Sequence, residues 1–388
     1  MRILIYESLP DIERSAFIRR LREYLTSLEY DVFCLVDEKT IFRLEHGQGS
    51  EGIINSSGPM CHNIIRGHQA KTFVYLPNFT KNKKQDHTSR SKFYAKTLNS
   101  VQPDRIIIWN GLAAHHVDFI ETINNLAWQH RLCHMEVAWL PQKDFFYCDR
   151  KGINGNSSIA TQKLSPLTSQ QEARLTCALQ EFRNHQVTKK QRKTILVPLQ
   201  LEHDTSILHF SPFKTMQEFV STLEQWIPED YIVTVRPHPK NTLNTIPRLT
   251  KRHFQLNTEQ HLYDALASSE IVIGINSTTL LEAMAFECTV LTFGKGVFSC
   301  LNGITADTTK KFSTQVKNTP NYSPLLYDLL FNRQIPIKSL NGIEHFLEEV
   351  PIGNYGTVQN GHPYPLWKMI TGELRYHVGI LLNKLGLI

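Results

Sequence analysis

The chain has 388 residues, of which 41% are hydrophobic, 10% aromatic and 20% charged. That is enough apolar material for sizeable cores, which excludes a mainly disordered or fibrous chain, and the length predicts two domains. Lys and Arg number 42 against 36 Asp and Glu, a formal charge of +6; this suits an anionic small substrate or an anionic membrane surface, and lacks the dense basic stripe of a nucleic-acid binder.

Arg2–Tyr6 predicts a buried first strand, because its short apolar run meets acidic residues too soon for a signal peptide. Residues 11–28 predict an amphipathic helix with Phe17, Leu21, Tyr24, Leu25 and Leu28 on one side, and Asp31–Leu35 the next strand. Residues 76–92 are polar, basic and aperiodic, which predicts a mobile loop. Arg105–Trp109 is an apolar strand with the turn signal Asn110-Gly111 at its carboxyl end, and Cys133–Leu140 continues this half. Strands alternating with helices predict an open parallel sheet. Around 150–192 come a Gly/Asn/Ser turn region, a helix with an apolar stripe, and the basic run Lys189–Lys193, which predicts the connection between halves.

The pattern then restarts. Thr194–Leu199, Tyr231–Val235, Ile271–Ile275 and Val290–Phe293 read as strands, and Thr215–Trp226, Glu259–Ser268 and Leu280–Phe286 as helices. The expected division is 1–190, 191–360, and a C-terminal helix over 361–388. Residues 294–388 carry no assignable motif. Their apolar end, with Lys368, Arg375 and Lys384, suits a terminal helix that packs back on the first domain, peripheral contact with an anionic membrane surface, or both. The seven cysteines form no C-x-x-C pair. An odd set of this kind suggests neither a disulfide framework nor a thiolate zinc site, and predicts a reducing cytoplasm. No apolar run reaches the roughly 18 residues of a membrane span.

Four places can carry chemistry. In Arg236-Pro237-His238-Pro239, after a buried strand, two prolines hold His238 in a rigid turn where open α/β sheets bind ligands. Its imidazole is suited to a nucleotide phosphate, or merely to backbone groups of the turn. Asn276-Ser277-Thr278-Thr279 opens the next helix but one. Ser277 or Thr278 would cap it and offer an anion site, and Glu282, one turn in, would take ribose hydroxyls; the plainer alternative is a capping box. Asp204, after the first strand of the second half, suits a nucleophile or base at an anomeric carbon, or an Asx turn. Glu136 lies in an apolar stretch, where a carboxylate is either bonded to backbone N–H groups or tuned as a general acid/base by a raised pKa.

Six motifs in order resemble the retaining β-Kdo transferases of bacterial capsule and lipopolysaccharide (O-antigen) assembly, enzymes of the GT-B form with two Rossmann-like domains facing a cleft. They are W-N-G at 109–111, M-E-x-x-W-L-P at 135–141, D-x-x-G-I-N at 149–154, V-P-L-Q-x-x-x-D at 197–204, R-P-H-P at 236–239 and N-S-T-T-x-x-E-A at 276–283. The resemblance implies CMP-Kdo as donor, with Asp204 as nucleophile of a double displacement and Glu136 as acid/base. It implies a donor site of Gln200, Arg236, His238, Asn276, Ser277, Thr278, Glu282 and Lys295, and acceptor-side Asn110, Asp149 and Asn154. The acceptor would be a glycan or lipid-linked glycan. No Asp-x-Asp motif occurs, so neither metal nor other cofactor is expected, and no nucleic-acid partner. The rivals are a transferase for another CMP-activated acidic sugar, a GT-B-like nucleotide-sugar epimerase, and a non-enzymatic binder of anionic polymers.

Overall fold

The computed structural model describes residues 1–8, 12–36, 72–75, 83–183, 190–241, 246–258 and 260–348. The first half builds β1 (Arg2–Glu7), β2 (Asp31–Val36), β3 (Thr72–Tyr75), β4 (Arg105–Trp109), β5 (Leu132–Val137) and β6 (Phe145–Asp149). The second builds β7 (Gln191–Pro198), β8 (Ile232–Arg236), β9 (Phe254–Leu256), β10 (Ser269–Gly274) and β11 (Thr289–Thr292), and β12 (Gln334–Pro336) follows. One sheet has seven strands in the order β12-β6-β5-β4-β1-β2-β3, and the other five in the order β11-β10-β7-β8-β9.

Side-chain alternation explains the burial. In β1, Ile3 and Ile5 join Cys34, Val36 and Ile107 on one face, while Leu4 and Tyr6 join Leu35, Ile106 and Ile108 on the other. The second sheet repeats this: Ile195, Val197, Ile271 and Ile273 pack with Phe219 and Phe312, and Leu196 and Val272 face Phe286 and Leu325. Strands buried on both faces read as continuous apolar runs, which is why both sheets were visible in the sequence.

Several expectations are corrected. The five-stranded sheet is parallel throughout, but in the larger one β6 runs antiparallel to β5, and β12 antiparallel to β6. β12 and the helix Ile343–Leu347 place Ile335, Ile343 and Leu347 in the first sheet's core, so a second half drawn to residue 360 takes in a segment that has already crossed back. Of the expected loop at 76–92, residues 83–92 form the start of the helix Lys83–Val101; its buried stripe, Tyr94, Leu98 and Val101, begins only beyond the polar turns. Residues 76–82 lie outside the described residues, as do 361–388, Lys189 and Glu259.

The basic run is not purely a connection either, since β7 already starts at Gln191. The helix expected from Glu259 is seen over Leu262–Ser268. Leu28 is 38% exposed because the first helix ends at Ser27, one residue short of it. The six described cysteines are all free. Among the described residues no helix is long and apolar enough to cross a membrane.

Phe286 is fully buried between the second sheet and the rings of Phe182 and Tyr263. Phe286→Ala is expected to lower the unfolding free energy by about 3–5 kcal/mol, read from the midpoint of a urea titration at unchanged slope.

Candidate active site

Both sheets turn strand carboxyl ends toward one cleft of about 780 Å³, counted out to its open mouth. From the first half it is lined by Asn110 after β4, Glu136 in β5, Gln142 and Asn154; from the second by Gln200, the run Asp204–Ser206, His238 after β8, and Asn276–Thr278 after β10. This is where open α/β sheets place ligands.

A polar network shapes the floor. Gln200 donates from Nε2 to Asn276 Oδ1 at 2.9 Å and accepts from Asn276 N–H at 3.1 Å, which ties the end of β7 to the end of β10. Asn276 Nδ2 donates to the Ser206 carbonyl at 2.8 Å and so fixes the start of the helix Thr205–Phe210. Asp204 caps that helix: its Oδ1 accepts from Ser206 N–H at 2.8 Å, and the carboxylate is otherwise exposed to the cleft. The Asx turn and the functional reading of Asp204 are therefore compatible, because capping occupies one oxygen only.

The same helix receives three bonds from the first half. Asn110 Nδ2 donates to Thr205 Oγ1 at 3.0 Å, Asn154 Nδ2 to Ser206 Oγ at 3.1 Å, and the Leu112 carbonyl lies 3.1 Å from His209 Nε2. Close approach is also needed beside it. A Cβ on Gly155 would stand 2.7 Å from Lys295 Cβ, so a side chain there would push the two halves apart.

Glu136 is partly buried among these groups. Its Oε1 accepts from Val137 N–H at 3.0 Å and its Oε2 from Asn110 Nδ2 at 2.8 Å. Burial pushes its pKa up to about 7; these two bonds and the Arg14 charge oppose the rise, and the negative charge of Asp204 adds to it. A carboxyl poised near neutrality serves either as acid or as base.

On the donor side, His238 is half-buried, and its Nδ1 accepts from Lys240 N–H at 3.1 Å. Burial holds its pKa down, helped by the neighbouring charges of Lys240 and Arg236 and opposed by Asp204. Ser277 supplies the oxygen that accepts from Thr279 N–H at 3.2 Å, whereas Thr278, the residue before the helix Thr279–Ala285, makes no side-chain cap.

Some expected site residues stand behind the lining or away from it. Glu282 accepts from the Tyr263 hydroxyl at 3.4 Å, and burial pushes its pKa up to about 7 against the pull of that bond and of Arg236. Arg236 is therefore an electrostatic neighbour of both Glu282 and His238, and does not itself line the cleft. Lys295 is exposed and also outside the lining. Asp149 is buried, with Oδ1 accepting from Lys151 and Gly152 N–H and Oδ2 from Ser158 N–H and Oγ. Its carboxylate organises the loop that presents Asn154. Thr205, Ser206, Gln142, Tyr263 and Arg14 were not singled out in the sequence; only Thr205 and Ser206 had a signal, as the first residues after a capping Asp.

Asn110→Ala removes a bond that favours the charged carboxylate, so the Glu136 pKa should rise above about 7. Carboxyl ¹³C NMR, with Glu136→Gln as the blank, reads this directly. The linked stability effect has a definite sign: a carboxyl whose folded pKa is raised from 4.5 to about 7 destabilises progressively as pH rises through that window. Glu136→Gln should therefore raise Tm at about pH 8 and leave it unchanged below about pH 4.

A model of the family described as capsule polysaccharide biosynthesis protein matches residues 147–335. No curated protein matches. Among solved structures, the β-Kdo 2,7 transferase KpsC of Thermosulfurimonas dismutans aligns over 87% of this chain and 92% of its own, at 14% identity and a TM-score of 0.50. The UDP-GlcNAc 2-epimerase of Methanocaldococcus jannaschii aligns over 90% and 99%, at 12% identity and a TM-score of 0.33. The glycosyltransferase SnogD of Streptomyces nogalater aligns over 89% and 99%, at 10% identity and a TM-score of 0.34. The resemblance drawn from the six motifs is borne out: over residues 147–335 the chain is similar to the capsule polysaccharide biosynthesis proteins, and its two facing sheets have the GT-B fold.

Proposed function

We propose that the chain is a glycosyltransferase of capsule polysaccharide assembly that transfers β-Kdo from CMP-Kdo to a glycan or lipid-linked glycan with retention of configuration. The observation that carries this reading is the meeting of two carboxyl groups of different character in one cleft: exposed Asp204 from the second half, and partly buried Glu136 from the first. They are close enough for the charge of Asp204 to raise the pKa of Glu136.

In the first step an Asp204 carboxylate oxygen bonds to the anomeric carbon as the bond to the CMP phosphate oxygen breaks, and CMP leaves with the electron pair. His238, Ser277 and Thr278 offer hydrogen bonds to that phosphate, and the ribose reaches past them toward Glu282, which stands behind the lining, held by Tyr263 and near the Arg236 charge. Lys295 stands outside the lining as an additional cation, and the donor step uses no metal. In the second step the acceptor hydroxyl gives its proton to Glu136 and attacks the anomeric carbon from the vacated face, which releases Asp204 as carboxylate.

The coupling between the carboxyls gives this order a physical basis. Esterification removes the negative charge of Asp204 and with it one cause of the raised Glu136 pKa, so Glu136 is more readily deprotonated when a base is needed. On the acceptor side Asn110 and Asn154 line the cleft, and Asp149 acts through the loop that carries Asn154.

Intact-protein mass after incubation with CMP-Kdo tests the proposal. Wild type should gain one Kdo and Asp204→Ala none, and Glu136→Gln should accumulate the adduct because its second step is blocked. CMP release with no adduct on any of the three proteins would overturn the covalent step. Neither adduct nor CMP release would overturn the Kdo reading, and turnover of a UDP-sugar without acceptor would establish an epimerase.

A further inference from the structure

We propose that Glu7, His115 and His116 form a site for one divalent transition-metal ion of the zinc class, at the carboxyl ends of the interior strands β1 and β4 and outside the lining of the donor cleft. Glu7 is the last residue of β1, and the two histidines lie in the turn Ala114–His116 that follows β4, the parallel neighbour of β1. The topology therefore brings three ligand-bearing side chains to one end of two paired strands.

The geometry is convergent. Glu7 Oε1 stands 3.8 Å from His115 Nε2 and 3.8 Å from His116 Nε2, and the three ligand atoms lie within 4.8 Å of one another. A closing movement of a few tenths of an ångström brings them to bonding distance of a common centre, with metal–ligand bonds of about 2.0–2.2 Å. Glu7 Oε2 meets Arg14 at 3.2 Å and Oε1 accepts from Ser8 N–H at 3.0 Å, outer partners of the kind that orient a ligating carboxylate.

The independent observation is His116 itself. It is 1% exposed, yet neither ring nitrogen makes a hydrogen bond of good geometry among the described residues; its polar neighbours are the Glu7 carboxylate, 3.8 Å away, and the Trp109 backbone. Its ring is fixed between Tyr6, 5.3 Å away, and His115, 4.0 Å away. A buried imidazole whose bonds are this long is costly unless something closer completes it, and the nearest acceptor it faces is the proposed ligand Glu7. Two imidazole nitrogens and one carboxylate oxygen suit Zn²⁺ or Co²⁺ with a fourth position left for water, and do not suit the all-oxygen preference of Ca²⁺ or Mg²⁺. A second grouping, His87, Asp118 and Glu121, is largely exposed and holds no buried imidazole, so it makes no comparable site.

None of the three ligands lines the donor cleft, so the ion takes no part in the proposed transfer. What it does is tie the segment after β4 to the end of β1. That segment begins at Asn110, and the ion would hold its far end.

The test uses the full chain, stripped with a chelator and then titrated with Zn²⁺ in a calorimeter and with Co²⁺ by visible absorption. One tight equivalent is expected in wild type, with a cobalt d–d band and a rise in Tm as metal saturates the folded state. His115→Gln and His116→Ala should weaken binding by at least about tenfold and abolish the band, while His87→Ala should keep both. His115 is part-exposed, so its variant keeps the test decisive if His116→Ala fails to fold. Absence of a tight equivalent in wild type, or binding that survives in His115→Gln, overturns the proposal.

Discussion

The Asn110 side-chain amide is the point on which the site depends. Its nitrogen donates both to Glu136 in the first sheet and to Thr205 at the head of the second half's first helix, and its oxygen accepts from Leu112 N–H. One planar group thereby sets the position of the poised carboxyl, the approach of the helix that Asp204 caps, and the course of the chain after β4. The backbone there is left-handed, with φ of 64° at Asn110 and 76° at Gly111. Asn tolerates that conformation better than most residues, and Gly adopts it freely. A side chain on Gly111 would also run into the His134 ring.

The two carboxyls of the cleft differ because their surroundings differ. Asp204 sits exposed at a helix start, where one oxygen caps the helix and the other faces the cleft. Glu136 rises from a largely buried strand, and two hydrogen bonds and the Arg14 charge resist the cost of burying it. Burial raises the pKa of Glu136 to about 7, and the same cause acts on Glu282 behind the lining, held by Tyr263.

Much of the donor side was legible because it is local. A strand that ends in Pro-His-Pro or in Asn-Ser-Thr-Thr puts those residues at a carboxyl edge whatever the rest of the chain does. The acceptor side was harder. Asp149 is a chemically suggestive residue in a suggestive motif, yet its four donors come from residues 151–158 folding back over it, and that closure has no periodic signature. β6 and β12 are short and antiparallel, and their pairing joins residues almost two hundred positions apart. The helix from Lys83 was hidden for another reason: its first turns are polar all round, and a hydrophobic stripe is the only strong helical signal.

The sequence by itself determined the two-half α/β plan, the strands buried on both faces, and the identity of the groups at their ends, since apolar runs, turn residues and caps act over a few neighbouring positions. Only the tertiary structure decided which of those groups share a cleft. Asp204 and Glu136, 68 positions apart, influence each other because Asn110, Asn154 and Leu112 bond the helix Thr205–Phe210 from across the cleft. Such bonds join residues that no local pattern relates, and the contribution of Asp204 to the raised pKa of Glu136 exists only once both halves are in place.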